Sequence, residues 1–243
     1  MVLVVSRTAL TSGIIEREWR VARGSNQSIC AGLTMVNLRV VDIYHGDRVS
    51  SFKKAAAFGI WGIIHKATTG ATGKDAKYPT RRNPAGNAGL LWGAYHWGTR
   101  ADVAKQVKNF LDYAEPDQST LVALDFERTG GNTMTLDQAR EFLSRIEEEL
   151  RRKAVIYSGE LIKTRLGRKK DPFFGAHRLW LAHYNVHPVV QRSWDKYWLW
   201  QYTDNTKGIK PNRVPGIPGD SKGNLDCNSY DGTRAQLNDE WAS

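Results

Sequence analysis

The sequence predicts an α/β fold: an irregular, TIM-like (β/α) barrel of eight strands. Three observations predict it. Short, apolar, β-rich runs alternate with amphipathic helical stretches, the pattern of a parallel sheet covered by helices. Eight such runs fall within about 200 residues, which favours closure into a barrel over an open sheet. No internal repeat or low-complexity linker divides the region, so it reads as one domain.

The strand candidates run in order. "LRVVDIY" (38–44) is the first, and "WGIIHKAT" (61–68) follows a helix-like "SSFKKAAAFG". "LLWGAYHWG" (90–98), "TLVALDFE" (120–127) and "KAVIYSG" (153–159) come next. "RLWLAHYN" (178–185), "YWLWQYTD" (197–204) and "NLDCNSYDG" (224–232) complete the eight. Thr99 is expected to cap a helix that carries Val103, Val107, Phe110 and Leu111 on one face, with Asp102 three residues after the cap. Thr135 and Gln138 form a second capping-box pattern. Behind it Leu136, Ala139, Phe142, Leu143, Ile146 and Leu150 recur at helical spacing, and Arg151, Arg152 and Lys153 sit where the helix dipole favours cations. Little helix separates the later strands, notably from 185 to 224, so true βα units belong to the first part of the barrel.

The folded domain is expected over residues 36–243. Residues 1–35 read as an extension of uncertain structure or as an upstream misassigned start. Their apolar run, Val2 to Val5, is short and has no basic segment before it, which makes a poor secretory signal. Cys30 and Cys227 are too few for a disulfide framework and read as free thiols rather than one long-range bridge. No zincin motif, phosphate loop or EF-hand loop is present, so no cofactor or metal is expected. His183 and His187 have a spacing seen in metal sites, but His187 precedes Pro188 after a strand, so no metal is expected there.

The chain is 41% hydrophobic and 25% charged, and no apolar stretch approaches membrane-span length, which argues against membrane insertion. The net charge of +10 favours anionic polymers: nucleic acid, membrane surfaces, or bacterial wall carrying teichoic acids and carboxylates. Nine tryptophans and nine tyrosines suit a cleft that stacks on flat ligand faces, although each could equally serve the core.

A parallel barrel gathers functional side chains at the carboxyl ends of its strands. There the sequence places Asp42, Tyr44 and His45, then Tyr95 and His96, then Asp125 and Glu127. His183, Tyr184 and Asn185, then Gln201 and Tyr202, then Asp226 and Asn228 follow on later strands. Alternation puts Asp125 and Glu127 on one face, with backbone positions about 6.6 to 7 Å apart. Two like charges at that range raise at least one pKa. One carboxyl can then donate a proton near neutral pH while the other stays ionised, the division of labour of glycoside hydrolysis.

Taken in order, "VVDIYHG", "GIIHKATTG", "GLLWGAYHW", "LVALDFE", "AVIYSG", "LWLAHY", "WLWQYTD" and "LDCNSYDG" resemble glycoside hydrolase family 25, the N-acetylmuramidase lysozymes, from about Val41 to Tyr230. The resemblance implies a barrel with fewer than eight outer helices. It implies cleavage of the β-1,4 bond between N-acetylmuramic acid and N-acetylglucosamine in bacterial peptidoglycan, without a cofactor. It implies Glu127 as the general acid and Asp125 as a second acid that orients the 2-acetamido group or stabilises an oxocarbenium-like state. Asp42 and Asp226 would shape the field, and Tyr95, His96, Trp180, Tyr184 and Gln201 would line the sugar subsites. His96 is divided between subsite wall and core. The family commonly has Glu where Thr69 stands in "KATTG", and an Asn or Gln soon after the first Asp, where this chain has Tyr44 and His45.

A monomer acting on the cell wall is expected, reached by phage-type release or another export route. Retention, inversion and acetamido assistance depend on rotamers, and the assisted route is favoured. Two other classes compete. A catalytically inactive carbohydrate-binding protein on the same barrel would have no need of the four acids. A nucleic-acid binder is suggested by charge alone, without a basic-aromatic stripe or a recognition helix.

Overall fold

The computed structural model describes residues 36–204 and 206–243. The expectations for residues 1–35 and for Cys30 lie outside these. Nine strands and seven helices alternate among the described residues. They are β1 (Leu38–Ile43), α1 (Phe52–Phe58), β2 (Gly62–Thr69), β3 (Gly73–Lys74), α2 (Tyr78–Gly86), β4 (Leu91–Trp97), α3 (Val103–Ala114) and β5 (Leu121–Asp125). Then follow α4 (Leu136–Leu150), β6 (Val155–Ser158), α5 (Glu160–Leu166), α6 (Pro172–Gly175), β7 (Leu179–Ala182), β8 (Leu199–Thr203), β9 (Asp226–Ser229) and α7 (Arg234–Trp241).

Eight of the strands close a barrel in the order β1, β2, β4, β5, β6, β7, β8, β9, and β3 is a two-residue hairpin partner hung on β2. Among the described residues the helices are fewer than the barrel strands, and none lies between β8 and β9. The sheet is not wholly parallel. β9 runs antiparallel to both of its neighbours, pairing Asp42 with Asp226 across β1 and Gln201 with Asn228 across β8. Asp226 therefore opens its strand instead of ending it, and the reversal is what carries it to the same rim as the ends of the parallel strands.

Alternation along each strand divides the core in two. One layer lies between sheet and helices and contains Val41, Phe110, Leu124, Phe126, Phe142 and Ile156. The other fills the barrel interior with Val40, Ile64, Tyr95, Leu121, Val155, Trp180 and Leu199. α7 plugs the amino-end mouth of the barrel with Leu237 and Trp241. Gly62 makes room for it, because a Cβ there would stand 2.6 Å from the Trp241 ring.

The helix after β4 starts later than its sequence suggests. Asp102, not Thr99, is the cap: its carboxylate accepts the Lys105 N–H at 2.9 Å. Thr99 is held instead by Gln106, whose Oε1 accepts the Thr99 N–H at 2.9 Å. The second capping box forms as read, with Thr135 and Gln138 satisfying each other's backbone N–H groups. A third, Thr233 with Gln236, begins α7 and was legible in the same way.

Candidate active site

β1 and β5 deliver the first carboxylates because their apolar residues must alternate between the two core layers. Asp42 thus takes an interior-facing slot in a strand that is otherwise buried, and Asp125 takes the last ladder position of β5. Phe126 turns outward into the helix layer and is fully buried there. Glu127, half-buried, follows beyond the strand end.

Asp42 is the best-anchored group of the set. Gln201 Nε2 donates to both of its oxygens at 3.0 Å, and Asn228 Nδ2 donates to Oδ1 at 2.7 Å. The donors are themselves oriented. Tyr157 and Tyr184 hydroxyls donate to Gln201 Oε1 at 2.9 and 2.6 Å, and Trp180 Nε1 donates to Asn228 Oδ1 at 2.6 Å. With their oxygens occupied, both amides must turn N–H groups toward the carboxylate. Burial pushes the Asp42 pKa up to about 6, and the Asn228 and Gln201 hydrogen bonds hold it from rising further.

Asp125 and Glu127 are tuned differently. Burial raises the Asp125 carboxyl well above the ordinary range, and the charge of Glu127 raises it further. Asp125 Oδ1 is buried without a hydrogen-bond partner among the described residues. Burial also pushes Glu127 up to about 7; Lys66 pulls it down and Asp42 pushes it up. Asp226 is raised well above the usual range by burial and then by Asp42. Four carboxyls that crowd a desolvated rim cannot all ionise at neutral pH. Burial and mutual repulsion thus favour keeping one carboxyl of the set protonated beside an ionised neighbour, the condition acid-assisted hydrolysis requires.

Lys66, a residue the sequence reading passed over, stands beside this cluster. Its ammonium lies 3.7 Å from the centre of the Trp97 ring, and it stabilises the charged forms of both Asp125 and Glu127. Its β2 position, cross-strand from Tyr95, could have flagged it. Replacing Lys66 by Met should move the alkaline limb of the pH–rate profile upward, because Glu127 would keep its proton longer. Arg should preserve the limb, and an unmoved limb in the Met variant would remove Lys66 from this role.

The expected subsite residues separate on inspection. Gln201 and Tyr184 belong to the Asp42 network, and Tyr184 is the more accessible. Tyr95 and Trp180 lie inside the barrel, with ring centres 6.3 Å apart, and Tyr157 meets Trp180 edge-on at 4.6 Å. Trp180 is 1% exposed, so it supports the site from within and offers no face to a sugar. His96 points away altogether. It is buried between sheet and helices, stacked on Phe142 at 4.8 Å, with Nδ1 2.7 Å from the Thr68 hydroxyl and Nε2 3.1 Å from Gln106 Oε1. Burial lowers its pKa to about 4, so it is a neutral core histidine and not a cleft wall. Tyr157 was missed, though "AVIYSG" places it near a strand end, and Asn228, placed at the rim by the sequence, was given no role there.

A closed barrel with four raised-pKa carboxyls at one rim has the acid–base groups that glycoside hydrolysis uses. Residues 41–209 match the sequence profile of Glycosyl hydrolases family 25, and the chain belongs to that family. Lysozyme M1 of Streptomyces globisporus is 26% identical over 219 residues, covering 81% of this chain and 69% of that protein. The bacterial lysozyme of Streptomyces coelicolor superposes with a TM-score of 0.73 at 25% identity, covering 85% of this chain and 97% of that one. The GH25 lysozyme of Aspergillus fumigatus shares the fold at a TM-score of 0.69 and 24% identity, covering 85% and 99%.

Proposed function

We propose that this muramidase opens the β-1,4 bond from N-acetylmuramic acid to N-acetylglucosamine, with Glu127 as the proton donor to the glycosidic oxygen. The chain is a peptidoglycan hydrolase that acts on the bacterial cell wall. The observation that supports the residue assignment is the position of Asp125 and Glu127 at one strand end, where the charge of Glu127 raises the Asp125 pKa and Asp125 Oδ1 is buried without a partner among the described residues. A 2-acetamido N–H donated to the Asp125 carboxylate would stabilise its ionised form. The acidic proton would then reside on Glu127, the more exposed of the two, at the leaving oxygen. Asp125 would at the same time aim the acetamido carbonyl oxygen at the anomeric carbon, giving a substrate-assisted route with retention. Asp42, ionised above about pH 6 and fixed by Gln201 and Asn228, would stabilise the positive charge that develops on the sugar. Asp226, beside it, would modulate that field.

The test is the product. Digested peptidoglycan reduced with borohydride should carry reduced muramic acid at the new ends, and reduced glucosamine there would sink the bond assignment. For the assisted route, proton NMR of early product should show the β-anomer first. Replacing Asp125 by Ala should lower kcat by about 10²-fold or more with little change in melting temperature, since it removes a positioned charge from the transition state.

A further inference from the structure

We infer a second glycan-binding site on the opposite mouth of the barrel, where the wall polymer that the cleft cleaves would be held by a stacked sugar pair. The inference rests on the muramidase reading above. A cavity of about 700 Å³ opens at the start of β7 and β8 and the end of the reversed β9, beside α7. This is the amino-end rim, on the far side of the barrel interior from the four carboxyls. Its volume lies within the roughly 300–1,000 Å³ of ordinary ligand sites.

The lining has the chemistry of sugar recognition. Tyr197 and Trp198 are only partly buried and leave ring surface at the cavity wall. Their polar tips are spoken for: Trp198 Nε1 donates to Glu240 at 2.8 Å, and the Tyr197 hydroxyl donates to Asp231 at 2.8 Å. These bonds fix the ring planes, so the faces are presented rigidly, as stacking on the C–H face of a pyranose requires. The Arg178 guanidinium lies 4.7 Å over the Trp198 ring. One of its terminal nitrogens donates to the Ser243 carbonyl at 2.8 Å, while Nη1 is buried without a partner among the described residues. Arg178, half-buried and lining the cavity, thus helps to hold the indole plane and brings a cation to the wall. Lys196 adds a cation at the rim and Asp231 and Glu240 add acceptors, so the edge is mixed in sign. Mixed polarity around aromatic faces fits a hydroxylated, N-acetylated sugar better than a lipid or a polyphosphate. The repeating polymer can occupy both sites, and two weak sites on one polymer raise overall retention by avidity.

The experiment uses the full chain with Glu127→Gln, so that walls stay intact, and with triacetylchitotriose as the soluble probe. In co-sedimentation with purified peptidoglycan, adding Trp198→Ala should weaken binding by about tenfold or more. Otherwise wild-type protein carrying Trp198→Ala should turn over short soluble glycan fragments at the unaltered rate, which also shows that it folds. Equal sedimentation with and without Trp198 overturns the proposal. Should Trp198→Ala not fold, the indole N–H resonance of Trp198 is followed by NMR in the Glu127→Gln protein. It should shift on titration with triacetylchitotriose, and an unmoved signal overturns the proposal. These are binding measurements, so they stay readable if the assignment of Glu127 fails; that failure would show as wall clearing by the Glu127→Gln protein.

Discussion

Replacing Glu127 by Gln is expected to lower kcat on peptidoglycan by about 10²- to 10⁴-fold, the range for losing a general acid. KM should change little. The amide has the shape of the protonated carboxyl and keeps its hydrogen-bonding edge, but it has no proton to give the leaving oxygen. A large effect is expected because the environment of Glu127 suits that one step. Burial and Asp42 lift its pKa toward about 7 against the pull of Lys66, so much of it is protonated in the range where Asp42 is already ionised. Stability should hold or rise, since the substitution removes a carboxyl whose charged form is disfavoured in the fold. Turbidity loss of purified walls and a thermal melt, run on the same preparations, check both parts. A variant that clears walls at the parent rate would mean that another group donates the proton.

The second large effect is on stability and involves Asp47, just outside the carboxyl cluster. Asp47 is 6% exposed and accepts the Tyr44 N–H at 2.8 Å. Burial pushes its pKa from 3.8 to about 7, with Asp42 and Asp220 adding to the rise and the Tyr44 N–H and Arg81 opposing it. Its folded pKa is thus raised, so between pH 3.8 and 7 the folded state holds a proton that the unfolded state has released. The contribution of this group is greatest below the lower value and is lost as pH rises through the upper one. At about 1.4 kcal/mol per pKa unit the loss is on the order of a few kcal/mol, or several degrees in Tm. An Asn keeps the Tyr44 hydrogen bond and has no proton to lose. The stability of Asp47→Asn relative to the parent should therefore grow from pH 4 to pH 8. Taking this difference matters, because His65 and His96, with pKa values lowered to about 4 by burial, act in the opposite direction below their ordinary value. A difference that stays constant with pH would mean that Asp47 ionises normally in the fold.

Much of the carboxyl-bearing rim was legible because strand alternation is local. "LVALDFE" reads as apolar residues ending in two acids on one face, and Phe126 does turn the other way. The capping box at Thr135 is equally local, four residues that satisfy one another. His96 and Trp180 show where that legibility stops. Both are polar-tipped aromatics near a strand end, but His96 faces the helices while Trp180 lies too deep in the barrel to be reached. Alternation says that neighbours point apart; it does not say which side of a closed sheet is the cleft, nor how far down the barrel a side chain sits.

The sequence by itself determined the number and order of the barrel strands, the acids they carry and the chemistry those acids can do, because each is written within a few consecutive residues. Only the tertiary structure decided that β9 runs backwards, so that Asp226 faces Asp42 from the start of its strand. Only the tertiary structure decided that Gln201, 159 residues away in the chain, holds Asp42 with an amide oriented by Tyr157 and Tyr184. The physical reason is the same in both cases. Strand direction and hydrogen-bond partnership depend on barrel closure, which brings distant segments together, and no local pattern records which partner will arrive.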